Sequence, residues 1–365
     1  MRPVFAKTPT RRVPSPVYSL RCALQIQSEA AAAILPVRAA RSAEAAIDAS
    51  PGTNFLAQLL HGQAPKLSLQ QVEPYLERNH RNAESLLAAF RTTSDPNLLR
   101  EALTNYPNDP RVHFLAYFAW AFNHDLSADS ISPQDRQRQL EALMQAAPDN
   151  ALPNYLSALN YFTAGQTDLA VQQLAAAAAK PNFQDYDLDF VQSAEEAYRA
   201  AGYSVAEAKA AADFDLPLPQ FAPLKRLSAE MAGLVQAYRQ AGDDASAQAT
   251  LQIGLGLGQR LDDPQAFSVV QNMVGTMIQS NLLATMDPNT PYGDTGQTVQ
   301  NQLDALSQRY QNLKATWLVD GGQLQPVGEL VQNLSEPDLI SFCDRARVSG
   351  GWEAAQWVLN RQSGQ

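Results

Sequence analysis

One spacing recurs along this chain: an aromatic residue, glycine four positions later, a small residue at nine and leucine at thirteen. Tyr161, Gly165, Ala170 and Leu174 fit it, and so do Tyr238, Gly242, Ala247 and Leu251. Tyr198 and Gly202 begin a third copy that continues with Glu207 and Ala211, and its Y-R-A-A-G core nearly repeats as Y-R-Q-A-G at Tyr238. Degenerate copies stand at Phe90, Ser94, Leu99 and Leu103 and at Ala346, Gly350, Ala355 and Leu359. These offsets suit a helical hairpin. The aromatic residue, late in the first helix, packs into the pair interface and glycine ends that helix at positive φ. The small residue then lets the second helix approach while leucine fills the layer. Such a hairpin leaves part of its apolar surface uncovered, so it must stack on neighbours.

The body of the chain agrees. Apolar positions at spacings of three and four alternate with short Pro, Gly, Asp or Asn clusters, and no β-branched alternating run of strand length stands out, which predicts an all-α fold. Ser94-Asp95-Pro96, Asn108-Asp109-Pro110 and Ser335-Glu336-Pro337-Asp338 each precede an apolar run and read as capped helix starts with Pro in the first turn.

On these residues the chain resembles the tetratricopeptide repeat family, a helix-turn-helix of about 34 residues. Residues 151–182 match its pattern best, through Tyr161, Gly165, Ala170, Leu174 and Ala177, and Pro148 and Pro181 are 33 residues apart. Tyr106-Pro107-Asn108-Asp109-Pro110 and Ala147-Pro148-Asp149-Asn150 look like its linkers between repeats. The intervals between Tyr161, Tyr198 and Tyr238 are longer, at 37 and 40, and His124 to Pro133 reads as an insertion. The resemblance, carried over residues 68–261, implies antiparallel hairpins stacked as a right-handed superhelix, an α-solenoid. It also implies that the position after each aromatic anchor faces a concave groove. Those positions are Arg91, Arg199, Arg239 and Arg347, with Phe162 as the exception. With hairpins in register, Arg199 and Arg239 would form one column beside Gln192, Glu196, Gln236 and Gln240. Guanidinium groups so placed can hold a carboxylate bidentately, whereas the same arginines in last helical turns can serve the helix dipole and cover apolar surface.

Charge divides the chain. Residues 1–50 carry seven Lys or Arg against three Asp or Glu, so the total of -10 leaves -14 for residues 51–365. An acidic body repels phosphate backbones, and no nucleic-acid partner is expected for it. Pro3, Pro9, Pro14 and Pro16 interrupt any helical period in residues 1–50, a basic tail expected to be extended or disordered and to lack the apolar stretch of a secretory signal. No run is long and apolar enough for a transmembrane helix. Cys22 and Cys343 lie far apart in sequence, which speaks against a disulfide framework, and the compartment is left open.

Helical repeats are thus expected over residues 51–262, and a less regular helical region with a capping hairpin over residues 263–365. In the latter, Asp263-Pro264 reads as the start of a long helix whose Phe267, Val270, Met273, Val274, Met277 and Ile278 form an apolar stripe, read chiefly as core. Asp287 to Gln297 reads as a loop, Gln297 to Tyr310 as a helix, and Trp317, Trp352 and Trp357 as a small C-terminal core or a cap that closes the solenoid.

Signals for chemistry are weak. Gly254, Gly256 and Gly258 lack the spacing and the preceding strand of a dinucleotide loop and read as a fraying helix end. His61, His80, His113 and His124 form no metal-ligand pattern, Glu195 and Glu196 diverge on a helix, and Asp185, Asp187 and Asp189 read as first-turn acids that complement a helix dipole. No cofactor, metal or catalytic residue is expected. The expected function is a non-enzymatic scaffold that holds a protein or peptide, with an acidic segment as one candidate feature, in a concave face. A structural or oligomerising helical domain is the alternative, and a helical hydrolase or transferase comes last.

Overall fold

The computed structural model describes residues 55–122, 132–293, 296–316, 319–320 and 323–362; the basic tail, most of the insertion at His124 to Pro133, and Trp317 lie outside them. The described chain is predominantly helical, and no described helix is long and apolar enough to cross a membrane. In order come α1 (Phe55–Leu60), α2 (Leu69–Arg78), α3 (Ala83–Thr93), α4 (Pro96–Asn105), α5 (Pro110–Tyr117), α6 (Ala119–Phe122) and α7 (Pro133–Ala146). Three hairpins follow: α8 (Leu152–Thr163) with α9 (Thr167–Ala178), α10 (Asp187–Ala200) with α11 (Val205–Phe214), and α12 (Phe221–Gln240) with α13 (Asp244–Leu261). The last part holds α14 (Val269–Leu283), α15 (Val299–Ala315), α16 (Pro326–Gln332) and the hairpin of α17 (Glu336–Ser349) with α18 (Gly351–Gln362).

The three capped starts form as their residues dictate. Asp95 accepts from the Asn97 amide at 2.9 Å, Asp109 from that of Arg111 at 2.9 Å, and Ser335 from that of Asp338 at 3.4 Å, each with proline in the first turn. Each satisfies an amide that the helix itself leaves unpaired.

The five turn positions of the repeated spacing are all left-handed: φ is +64° at Ser94, +71° at Gly165, +98° at Gly202, +75° at Gly242 and +98° at Gly350. In the three tyrosine copies the amide after glycine donates back to the anchor's carbonyl, Gln166 to Tyr161 at 2.9 Å, Tyr203 to Tyr198 at 3.2 Å and Asp243 to Tyr238 at 2.9 Å. That bond closes the helix and reverses the chain. Ala170, Leu174, Ala247 and Leu251 are buried, as the spacing requires. The anchors differ: Phe90 and Tyr198 are buried, while Tyr161 and Tyr238 are half-exposed.

Order in space departs from order in sequence at one hairpin. The α8–α9 hairpin packs on α12–α13, which packs on α14 and through it reaches α15. The α10–α11 hairpin stands aside from this series, with α10 on α2 and α3 and α11 on α17 and α1. Uniform stacking of consecutive hairpins is therefore corrected here. The non-helical links at residues 179–186 and 215–220 give the reach. Phe190 of α10 then finds Phe114 of α5 at 5.7 Å between ring centroids, and Tyr75 and Tyr198 hydroxyls donate to the carbonyls of Ser193 and Pro65 at 3.5 and 3.0 Å.

Two further expectations are corrected around the α13–α14 contact. Asp263-Pro264 does not start α14: the Asp263 side chain accepts from the Gln265 amide at 2.9 Å in a local turn, and Ser268 caps the helix. The glycines at 254, 256 and 258 lie inside α13, not at a fraying end. A Cβ on Gly258 would sit 2.9 Å from the Gly275 carbonyl oxygen, and one on Gly275 would sit 2.6 Å from that of Gly258, so the two glycines let α13 and α14 cross at backbone distance. Met273, Val274, Met277 and Ile278 of α14 are buried. Two-residue antiparallel ladders, β1 (Pro291–Tyr292) with β2 (Gln297–Thr298) and β3 (Val319–Asp320) with β4 (Gln323–Leu324), interrupt the helices. Trp352 and Trp357 pack at the edge of the main apolar cluster, which includes residues from Leu59 to Val358.

Candidate functional site

The four arginines after the repeat anchors do not form a column. Arg91 Nη1 donates to the Phe190 carbonyl and its guanidinium lies 5.2 Å from the centre of the Phe190 ring. Burial pulls its pKa down to about 10, with the Asp215 and Asp187 carboxylates opposing the shift. Arg239 Nη1 donates to the Thr285 carbonyl, tying α12 to the end of α14. Arg347 bonds Asp213 and Glu195, across from α17 to the α10–α11 hairpin. Arg199 alone of the four is exposed. Arg199 and Arg239 also stand on hairpins that belong to different packing neighbourhoods, which removes the register on which the column depends. Phe162 is half-buried against the main core.

What α10 does present is a single exposed face. Leu188, Gln192, Glu196 and Arg199 follow at helical spacings of four, four and three, and all are exposed, Leu188 to 48%. The opposite face, with Phe190, Ala194, Ala197 and Tyr198, is buried. On α12, Gln236 and Gln240 are exposed as well.

The buried side of α10 lines a small cleft. Arg91, Tyr198 and Asp215 meet there among Ala194, Ala211 and Pro217, with Lys66 at the exposed edge. It forms where loops before α2 and after α11 close over α3 and α10, so it exists only because α10–α11 leaves the sequential series.

Next to it is a buried acid pair. Asp187 is 5% exposed, the Gln220 amide nitrogen donates to Asp185 Oδ2 at 3.3 Å and Asp187 Oδ2 at 3.1 Å, and Gln220 itself is inaccessible. Burial drives both carboxyls above the ordinary range, Asp187 furthest because Asp185 adds like charge. Asp187 and Asp189 do stand in the first turn of α10, the one buried and the other exposed, while Asp185 precedes the helix. The available signal was the apolar Phe190-Val191 pair one turn later, which pulls the start of α10 into the core. Among the described residues no three His, Cys, Asp or Glu side chains converge as a metal site.

No family model, curated protein or solved structure was found to match this chain.

Proposed function

We propose that this protein is a non-enzymatic interaction scaffold built of tetratricopeptide-like hairpins, and that the exposed face of α10 contributes its partner-binding surface. The left-handed turn at all five repeat positions supports the hairpin reading. One observation carries the surface: Leu188 and Arg199 are displayed on one face with Gln192 and Glu196, while Arg91, Arg239 and Arg347 are engaged inside the fold. An apolar side chain and a solvated arginine about 16 Å apart along one helix face suit a partner segment long enough to carry an apolar residue at one end and a carboxylate at the other.

The test compares two variants in affinity capture from the native host. Leu188→Gln with Arg199→Gln is expected to lose the captured partner at unchanged melting temperature. Arg239→Gln is expected to keep the partner and melt lower, because it loses its tie to the Thr285 carbonyl. Retention of every partner by the first variant would reject the α10 surface. A concentration-dependent mass in sedimentation, abolished by the same double change, would instead favour the oligomerising alternative.

A further inference from the structure

The two non-helical links that carry the α10–α11 hairpin out of the sequential series end on the same spot. Asp187 is the first residue of α10, Asp185 stands just before it, and Gln220 is the last residue before α12. The Gln220 amide spans the acids, with Nε2 at 3.3 Å from Asp185 Oδ2 and 3.1 Å from Asp187 Oδ2. Asp185 is fixed by its other oxygen, since Oδ1 accepts from the Asp187 amide at 3.3 Å. Burial is graded: Gln220 is inaccessible, Asp187 is buried and Asp185 is half-buried, so the cluster meets solvent on the Asp185 side.

One buried atom of this cluster is unsatisfied. Gln220 Oε1 accepts no hydrogen bond, and a buried acceptor without a donor is costly. The oxygen and nitrogen of an amide are nearly equal in size, so a half turn about the last side-chain bond exchanges them without a clash. The exchange sets Oε1 at 3.1 and 3.3 Å from the two carboxylate oxygens, and three oxygens face one another in this way around a positive charge. Oxygens held about 2.3–2.6 Å from a calcium ion and about 80–90° apart lie about 3.0–3.7 Å from each other, whereas the shorter bonds of magnesium bring them to about 2.8–3.0 Å. The Arg91 guanidinium acts on Asp187 but more strongly on Asp215, which leaves the pair incompletely neutralised when both carboxyls are ionised.

We propose that Asp185 Oδ2, Asp187 Oδ2 and Gln220 Oε1 bind a calcium-sized divalent cation, with water completing its shell on the Asp185 side. Two carboxylates and an amide oxygen are the hard donors such an ion prefers. The ion joins the entry of α10 to the entry of α12 and so fastens both ends of the displaced hairpin. Without it, burial and the repulsion between the two carboxyls are relieved by a proton. The site is independent of whatever the exposed face of α10 binds.

The test uses the full chain, freed of metal by a chelator and then held at pH 7.5 and constant ionic strength in potassium chloride. Calcium should bind at one site by calorimetry, with a dissociation constant of about 0.1–1 mM for so few charged ligands, and raise the melting temperature saturably. Magnesium should bind more weakly. Terbium, a luminescent ion of calcium's size, should light up on tyrosine excitation, because Tyr186 lies between the two aspartates, and calcium should displace it. Asp187→Asn and Gln220→Met should lose these responses, and Asp189→Asn, which removes the exposed acid of the same turn, should keep them. If Asp187→Asn does not fold, Asp185→Asn at the half-buried position takes its place. Absence of saturable calcium binding, or calcium binding that survives both Gln220→Met and loss of the aspartate, overturns the proposal. Equal melting shifts from calcium and magnesium that persist in these variants mark charge screening and overturn it as well.

Discussion

A Cβ added at Gly165 or Gly242 would meet no neighbouring atom within 4 Å, so the cost of a side chain there is chiefly the backbone's. Gly165→Val and Gly242→Val should each destabilise by about 1 to 3 kcal/mol, read from urea midpoints, because φ near +70° strains a β-branched residue. Gly350 adds a collision, since its Cβ would lie 2.6 Å from the Pro264 carbonyl oxygen, and Gly350→Ala should cost more than alanine at the two open turns. These turns were legible in sequence because the constraint is local: the anchor, the glycine and the amide after it that bonds back to the anchor lie within six residues. The arginines beside them were not. Whether Arg91 meets solvent or the Phe190 carbonyl depends on a helix that arrives 99 residues later, and no spacing around Arg91 encodes that.

At the scale of the element, the α13–α14 crossing separates two glycines that look alike in sequence. A Cβ on Gly256 meets nothing, whereas one on Gly258 runs into Gln279 Cγ at 2.6 Å and the Gly275 carbonyl. Gly256→Ala should therefore stabilise by up to about 1 kcal/mol through helix propensity. Gly258→Ala should destabilise by about 1 to 3 kcal/mol by forcing the helices apart. Equal thermal shifts for the two would contradict the crossing. The G-x-G-x-G run was visible as a motif, but its meaning lay in the facing glycine at 275, which only the packing supplies. Helix starts fared better, because Asp95, Asp109 and Ser335 act on amides two or three residues away. Asp263 has the same look and fails, since Ser268 captures the start of α14.

The whole molecule carries the long-range consequences. Asp185, Asp187 and Asp213 all sit above the ordinary carboxylate range because they are buried. Each favours the protonated, folded form, a contribution fully present below the unfolded value near 4 and lost as pH rises through the folded values, about 6 for Asp213. Melting temperature should thus be higher at pH 5 than at pH 7.5, and Asp213→Asn should shrink the difference. Glu101, drawn below its ordinary range by Arg81, works the other way only at lower pH. The all-helical class was legible in the periodicity of the chain. The displacement of α10–α11 was not, because a repeated local unit is compatible with several neighbours and only Phe190, Tyr198 and Arg347 meeting distant partners selects one. That displacement also decides which face of α10 is left for a partner. The most direct measurement is site-specific photocrosslinking in the native host from a benzophenone side chain placed at Glu196, between Gln192 and Arg199 on that face. A discrete heterologous adduct that disappears with Leu188→Gln and Arg199→Gln is the predicted result. No adduct from position 196, with an adduct formed instead from exposed Gln236 on α12, would contradict the assignment of α10 as the binding surface.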